Sequence, residues 1–456
     1  MINTKTVIDN QTYPIDPTLS SQNISSLSQR NLSGRDLIVI NPIYDLADGS
    51  GGDAQLANKI ANIALEQNCR VSILPIDTDR PGNALAARHH ATSESVHQLS
   101  DLRDPLFIVA PVGVLKLEDL KTTMNNLCTQ YNFPRKDIML IEEMDLLASP
   151  RQQLPDRVNA LKELGFEGVS AHNLGFGEGA IGYLPIEKKD LDLIEKRFDN
   201  DIRKLLDSYN LSLDKNSNFH MAYISSDTPV TASHLFIRNT LNETASDKKN
   251  TTYLIVARNL PNLSRKRRFI DDVGNIFHPN YSIAVSDKAY SKASLYTFSD
   301  SGRGMVHQKT FLGAGDSEVK VIVVKHVPQP IFHDLMKLSS CGMASGDQSL
   351  GEYLSIKKSV PYYDMQQFKY PLARALVLEA ERLGGTPLGK QMERKVVGGV
   401  PHSMDTHVLF SPNEPDNLPR PELIKASMRL DEKISSHTAD GHIREFLSGP
   451  PPASTH

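Results

Sequence analysis

The apolar, β-branched run Leu37-Ile38-Val39-Ile40 leads into a loop that ends Asp48-Gly49-Ser50-Gly51-Gly52-Asp53. The segment after it places Leu56, Ile60, Ile63 and Ala64 at helical spacing. A buried strand, a glycine loop and a helix in that order open a parallel α/β unit, because parallel strands need a crossover long enough to hold a helix. The alternation continues with strands expected over 71–76, 106–110 and 138–141 and a helix over 117–131. It starts again further on, with strands over 219–224, 253–257 and 319–324 and helices over 231–241, 330–338 and 370–383.

Two rounds of alternation in 456 residues imply two α/β domains, since single cores stop growing at roughly 250 to 300 residues. The expected division is a polar N-terminal arm over 1–34, one Rossmann-like domain over 35–200, a second over 201–440, and a Pro-rich tail over 441–456 with no core to join. A charged helix over 188–209 spans the boundary. Five glycines between Gly168 and Gly182 predict an irregular loop there, and possible strands lie over 281–285 and 293–298. A net charge of -4 speaks against nucleic acid as a partner, and the basic run Arg265-Lys266-Arg267-Arg268 reads as a solvated loop. Three cysteines at unrelated spacings suit a reducing compartment and match no metal knuckle. No signal-like segment or apolar stretch of membrane-spanning length occurs, so a cytoplasmic location is expected, with signal-independent secretion open.

Two constellations carry chemistry. In the first, Gly51 and Gly52 let a ligand approach the backbone closely, and Asp53 stands at the helix start, where a carboxylate is either a cap or a group facing the ligand. In the second, Ser345, Gly346, Asp347, Gln348 and Ser349 precede or open a helix and form a cradle for a diphosphate on its free N–H groups. Glu352, one turn further on, can accept the two hydroxyls of a ribose or serve as an acid favoured by the helix dipole. Gln366 and Gln367, at the end of the next strand, are placed to hydrogen-bond sugar hydroxyls. Arg258, just past a strand, is either a phosphate partner or a surface arginine.

These segments resemble the GT-B peptidoglycan N-acetylglucosaminyltransferases. That family carries a G-x-G-G-H first loop, an S-G-x-x-T-x-x-E donor segment and sugar-contacting glutamines. The chain departs from it at Asp53, where the family has histidine, and in a shorter interval from Glu352 to the glutamines. Gly346-Asp347-Gln348-Ser349 and the acidic first loop also resemble protein-arginine rhamnosyltransferases, which share the fold. The resemblance implies two Rossmann-like domains facing a central cleft, a nucleotide-sugar donor as co-substrate, no tightly bound cofactor and no metal site. The expected activity is an inverting transfer of a sugar to an acceptor, whether protein, glycan or lipid. Asp53 is the expected base, with His172 and Glu178 as competitors. A nucleotide-sugar epimerase of the same fold and a non-catalytic nucleotide-sugar-binding protein are the alternatives. Neither the sugar, the nucleotide, the acceptor nor the oligomeric state is legible.

Overall fold

The computed structural model describes residues 35–43, 52–78, 99–145, 154–197, 200, 203–204, 206, 216–244, 247–258, 260, 263–298, 305–397 and 420–449. The expected arm over 1–34 and the loop residues before Gly52, Gly51 included, lie outside them.

The first sheet contains β1 (Asp36–Ile43), β2 (Arg70–Asp77), β3 (Leu106–Val109), β4 (Asp137–Glu142) and β5 (Gly168–Asn173), all parallel, in the order β2-β1-β3-β4-β5. Helices α1 (Gly52–Glu66), α2 (Leu117–Tyr131) and α3 (Leu154–Glu163) make the β1–β2, β3–β4 and β4–β5 crossovers. Central β1 is buried along almost its whole length, which is why Leu37–Ile40 within it is a continuous apolar run rather than alternating. Strand β5 corrects the irregular loop expected from Gly168. Only Gly175, Gly177, Gly179 and Gly182 fall outside it, while Gly168 pairs with Asp137 of β4, whose carboxylate fills the space a Cβ would need.

Helix α4 (Lys188–Lys196) leads toward the second sheet. That sheet is built from β6 (Asn218–Ile224), β7 (Thr251–Ala257), β8 (Lys292–Phe298), β9 (Met305–Leu312), β10 (Glu318–Val324), β11 (Cys341–Ala344), β12 (Tyr362–Asp364) and β13 (Val396–Val397). Its order is β13-β12-β11-β6-β7-β10-β8-β9, parallel except for the β8–β9 hairpin at one edge. Helices α5 (Pro229–Thr244), α6 (Leu263–Gly274), α7 (Gln329–Leu338), α8 (Gly346–Lys357) and α9 (Tyr370–Lys395) accompany it. The expected class of two Rossmann-like α/β units is therefore the one the chain adopts.

Two local expectations differ. The basic run 265–268 lies inside α6 rather than in a loop, with Lys266 buried and its three arginine neighbours exposed, the pattern of one helical face turned inward. Residues 281–285 form turns, not a strand, and the hairpin partner of β8 is β9.

The C-terminal region does join a core. Helix α10 (Arg420–Ser436) packs on α9 and α8, α11 (Asp440–Ser448) returns to α1 of the first sheet, and Ile443 and Leu447 are buried in the cluster that also holds Ile60 and Leu37. Tyr183 fastens the joint between them: its hydroxyl donates to Ser435 O at 2.9 Å, its N–H to His437 O, and its carbonyl accepts from Ala439 N. Composition alone read this stretch as tail because its few apolar residues acquire a partner only from α1, far away in sequence.

Candidate functional site

A cavity of about 460 Å³ is lined from both sheets, within the size range of ligand pockets. The first sheet contributes Gly52, Asp53 and Lys59 of α1 and the turn Glu143-Met144 beyond β4. The second contributes Tyr223, Ser225 and Arg258 from strand ends, the start of α8, and Gln366 and Lys369. These are the carboxyl ends of parallel strands, where an open α/β sheet leaves a crevice and exposes helix N-termini.

Helix α8 begins without a side-chain cap. Ser345 has the extended backbone of an N-cap residue, yet its hydroxyl donates to Asp364 Oδ2 at 2.8 Å and lies 2.7 Å from Ser225 Oγ. Gly346 follows with φ +77°, a left-handed conformation that suits glycine, and a Cβ there would meet nothing within 4 Å. The backbone therefore faces open space at the helix start. Asp364 is fully buried and also accepts from the N–H groups of Ser225 and Ser226 at 3.0 and 2.9 Å, so one carboxylate ties together the ends of β6, β11 and β12. Burial raises its pKa against the pull of those donors.

Glu352 lies on α8 with 4% of its surface exposed. Gln348 Nε2 donates to its Oε1 at 2.9 Å, and His333 Nε2 of α7 stands 3.4 Å from its Oε2. Burial pushes its pKa up, but His333, Lys59 and Gln348 more than offset this, so the carboxyl is held below its usual range and stays charged. Lys59 reaches this side of the cavity from α1 and donates to Leu184 O at 3.0 Å. Burial lowers its pKa, opposed by Glu352 and Glu187.

Across the cavity, the Lys369 side chain is 3% exposed and its Nζ donates to Glu143 Oε2 and Asp347 Oδ2, both at 2.8 Å, and to Met144 O at 3.2 Å. Asp347 Oδ2 also accepts from Met144 N at 3.0 Å. The two carboxylates hold the lysine pKa above its usual range in spite of burial. The turn carrying Glu143 is pinned on both sides. Glu142 accepts from Glu143 N at 3.0 Å, and Asp145 accepts from the N–H groups of Phe176 and Gly177.

Of the residues singled out from the sequence, Gly52, Asp53, Arg258, Ser345, Gly346, Asp347, Gln348, Ser349, Glu352 and Gln366 meet at this one cavity. Ser349 turns its hydroxyl to Ser345, accepting from its N–H and donating to its carbonyl. Gln366 Nε2 donates to Ser225 Oγ at 3.4 Å. Gln367 starts a short 3-10 turn, and its side chain lies outside the described residues. His172 and Glu178 are not brought to the cavity. His172 lies on β5 with its ring 6.0 Å from that of His442 on α11, and burial and that neighbour lower its pKa, while Glu178 is exposed on the loop beyond β5.

The sequence reading missed Lys59, Glu143, His333, Asp364 and Lys369. The run Glu142-Glu143-Met144-Asp145 at a strand's carboxyl end was the available signal for one of them. Among the described residues no cluster of three His, Cys, Asp or Glu side chains has metal-holding geometry, and no helix is long and apolar enough to cross a membrane.

No known protein family matches the sequence, and no curated protein does. Among solved structures, the chain is similar to an E. coli trehalose-6-phosphate protein bound with UDP-2-fluoro glucose, at 11% identity over 91% of this chain and 98% of that one, TM-score 0.42. It is also similar to an α-glucosyltransferase in complex with UDP-glucose and DNA containing an abasic site, at 9% identity over 91% and 94%, TM-score 0.40. A structure of EarP-mediated arginine glycosylation of translation elongation factor EF-P matches at 11% identity over 91% and 95%, TM-score 0.36. Likenesses this distant carry no function to the chain, whose chemistry is set by the residues of its own cavity.

Proposed function

We propose that this cavity holds a nucleotide sugar and that the protein transfers the sugar to an acceptor. The observation that carries the reading is the spacing along α8: an uncapped helix start, open at Gly346, with the buried Glu352 one to two turns further on, both on one cavity. Free N–H groups at a helix start suit a diphosphate, and a fixed carboxylate beyond it suits the hydroxyls of a ribose. Gln366, from the end of β12, is then in reach of the sugar.

In this reading Asp53, at the start of α1 on the facing wall, takes the proton of the acceptor hydroxyl. The acceptor oxygen bonds to the anomeric carbon while the carbon–oxygen bond to the diphosphate breaks, and the leaving charge falls on the α8 N–H groups. Attack from the side opposite the leaving group inverts the anomeric centre. Charge neutralisation by backbone N–H groups, with Arg258 nearby, needs no metal ion. A thermal-stabilisation panel of UDP-, GDP-, ADP- and dTDP-sugars tests the first step, since a ligand at a hundred times its Kd adds about 2.7 kcal/mol to stability. If no nucleotide sugar and no nucleoside diphosphate shifts the melting temperature, the reading fails.

A further inference from the structure

Helix α8 has two side chains at its start that ordinarily cap a helix, Ser345 at the N-cap position and Asp347 in the first turn. Neither is left for that task. The Ser345 hydroxyl is drawn off by Asp364, and the Asp347 carboxylate reaches away to Lys369 Nζ and Met144 N. Both diverting groups are buried and reach in from other elements, Asp364 from β12 and Lys369 from the residue before α9, and Met144 belongs to the opposite sheet. Helix caps stabilise the helices they end, so leaving this end uncapped costs the fold stability. The cavity at Gly346 is what that cost leaves open.

We propose that Lys369 is a positioning residue: by holding the Asp347 carboxylate away from the α8 N–H groups, it keeps them free for an anionic ligand. The inference rests on the nucleotide-sugar reading for the identity of that ligand, but the diversion itself is a property of the unliganded chain. Without the Lys369 ammonium, Asp347 loses its charged partner and can fold back onto the helix start, where its own negative charge competes with a phosphate. Asp347 is therefore not a ligand of the diphosphate but a competitor that has been restrained.

The restraint has a signature that a merely structural lysine lacks. Lys369→Met should weaken binding of inorganic pyrophosphate and of UDP, measured by titration calorimetry, by about two- to thirtyfold, the worth of one competing cap. Lys369→Met combined with Asp347→Ala should recover most of that loss, a coupling of opposite sign to two additive defects. In the unliganded protein, exchange of the Asp347 and Gln348 amide hydrogens should be fast in the parent and slower in Lys369→Met, and fast again in the double variant. A double variant that binds no better than Lys369→Met, or exchange at these amides that Lys369→Met leaves unchanged, overturns the proposal. Should Lys369→Met fail to fold, Asp347→Ala alone decides: it binds pyrophosphate at least as tightly as the parent if the carboxylate is a restrained competitor, and more weakly if it is a ligand. Pyrophosphate binding with no added affinity for UDP or any nucleotide sugar would sink the nucleotide reading while leaving the role of Lys369 to the exchange result.

Discussion

His333 of α7 places Nε2 3.4 Å from Oε2 of Glu352 on α8, so the carboxylate at the far end of the cavity faces an imidazole of a neighbouring helix and is hydrogen-bonded by Gln348 on its own. A buried carboxylate already fixed by a hydrogen bond is a pre-organised acceptor, and it loses little freedom when a ligand's hydroxyl groups reach it.

Glu352→Ala should weaken nucleotide-sugar binding at least tenfold, because hydrogen bonds to a charged group are worth about 1.5 to 3 kcal/mol. Titration calorimetry with whichever donor stabilises the parent checks this. Unchanged affinity in a folded variant would return Glu352 to an acid favoured by the helix dipole.

The same residue gives a pH dependence. Its folded pKa lies below the ordinary glutamate value, so over the window between the two the unfolded chain binds more protons and stability rises with pH. The contribution is complete above the ordinary glutamate range and fades as pH falls through the lowered folded value. Urea unfolding of parent and Glu352→Gln should show the stability difference shrinking on acidification. A difference that stays constant between neutral and acid pH would mean that Glu352 is not held charged.

Asp53→Asn keeps the shape and most of the capping capacity at the start of α1 but removes the base. Turnover with a confirmed acceptor should fall by about 10²- to 10⁴-fold while donor affinity survives. Near-normal turnover would make Asp53 a cap, and Glu143, on the same wall, the next carboxylate to replace.

Asp364→Ala strips the partner from the N–H groups of Ser225 and Ser226 and from the Ser345 hydroxyl. Each buried group left unsatisfied costs about 1 to 3 kcal/mol. Chemical denaturation should therefore show a loss well above that of an ordinary surface substitution, with Asp364→Asn less affected because an acceptor oxygen remains.

Ile443→Ala should cost about 2 to 5 kcal/mol, as for other buried large-to-small changes, since α11 packs Ile443 and Leu447 into the core shared with α1. The ion pair of Arg444 with Glu66 at 2.6 Å lies on the same contact and, being partly exposed, adds little. Melting curves of Ile443→Ala and Arg444→Ala would rank the two. An Arg444→Ala loss larger than that of Ile443→Ala would overturn this account of how α11 is held.

Much of the fold was legible from local pattern. The period of Leu56, Ile60 and Ile63 and the apolar run Leu37–Ile40 of β1 specify helix and buried strand whatever lies around them, because burial of one face, or of both, is written into the spacing of the side chains. For the same reason Gly52, Ser345, Gly346 and Glu352 could be picked out as strand-end and helix-start residues. What the sequence left open depends on partners hundreds of positions away. Gly168 reads as a loop residue until β4 pairs with its strand, and Ile443 reads as tail until α1 lies beneath it. Lys369 looks like one more lysine beside two glutamines until the second sheet is set against the first, 226 residues from Glu143, and gives its ammonium two carboxylates. Asp53 was the expected base and His172 a competitor, and only the tertiary structure opens α1 onto the cavity and sets the His172 ring beside His442 of α11 instead. Backbone periodicity is a local property, whereas charge pairing and cavity walls exist only once distant segments exclude water from between them.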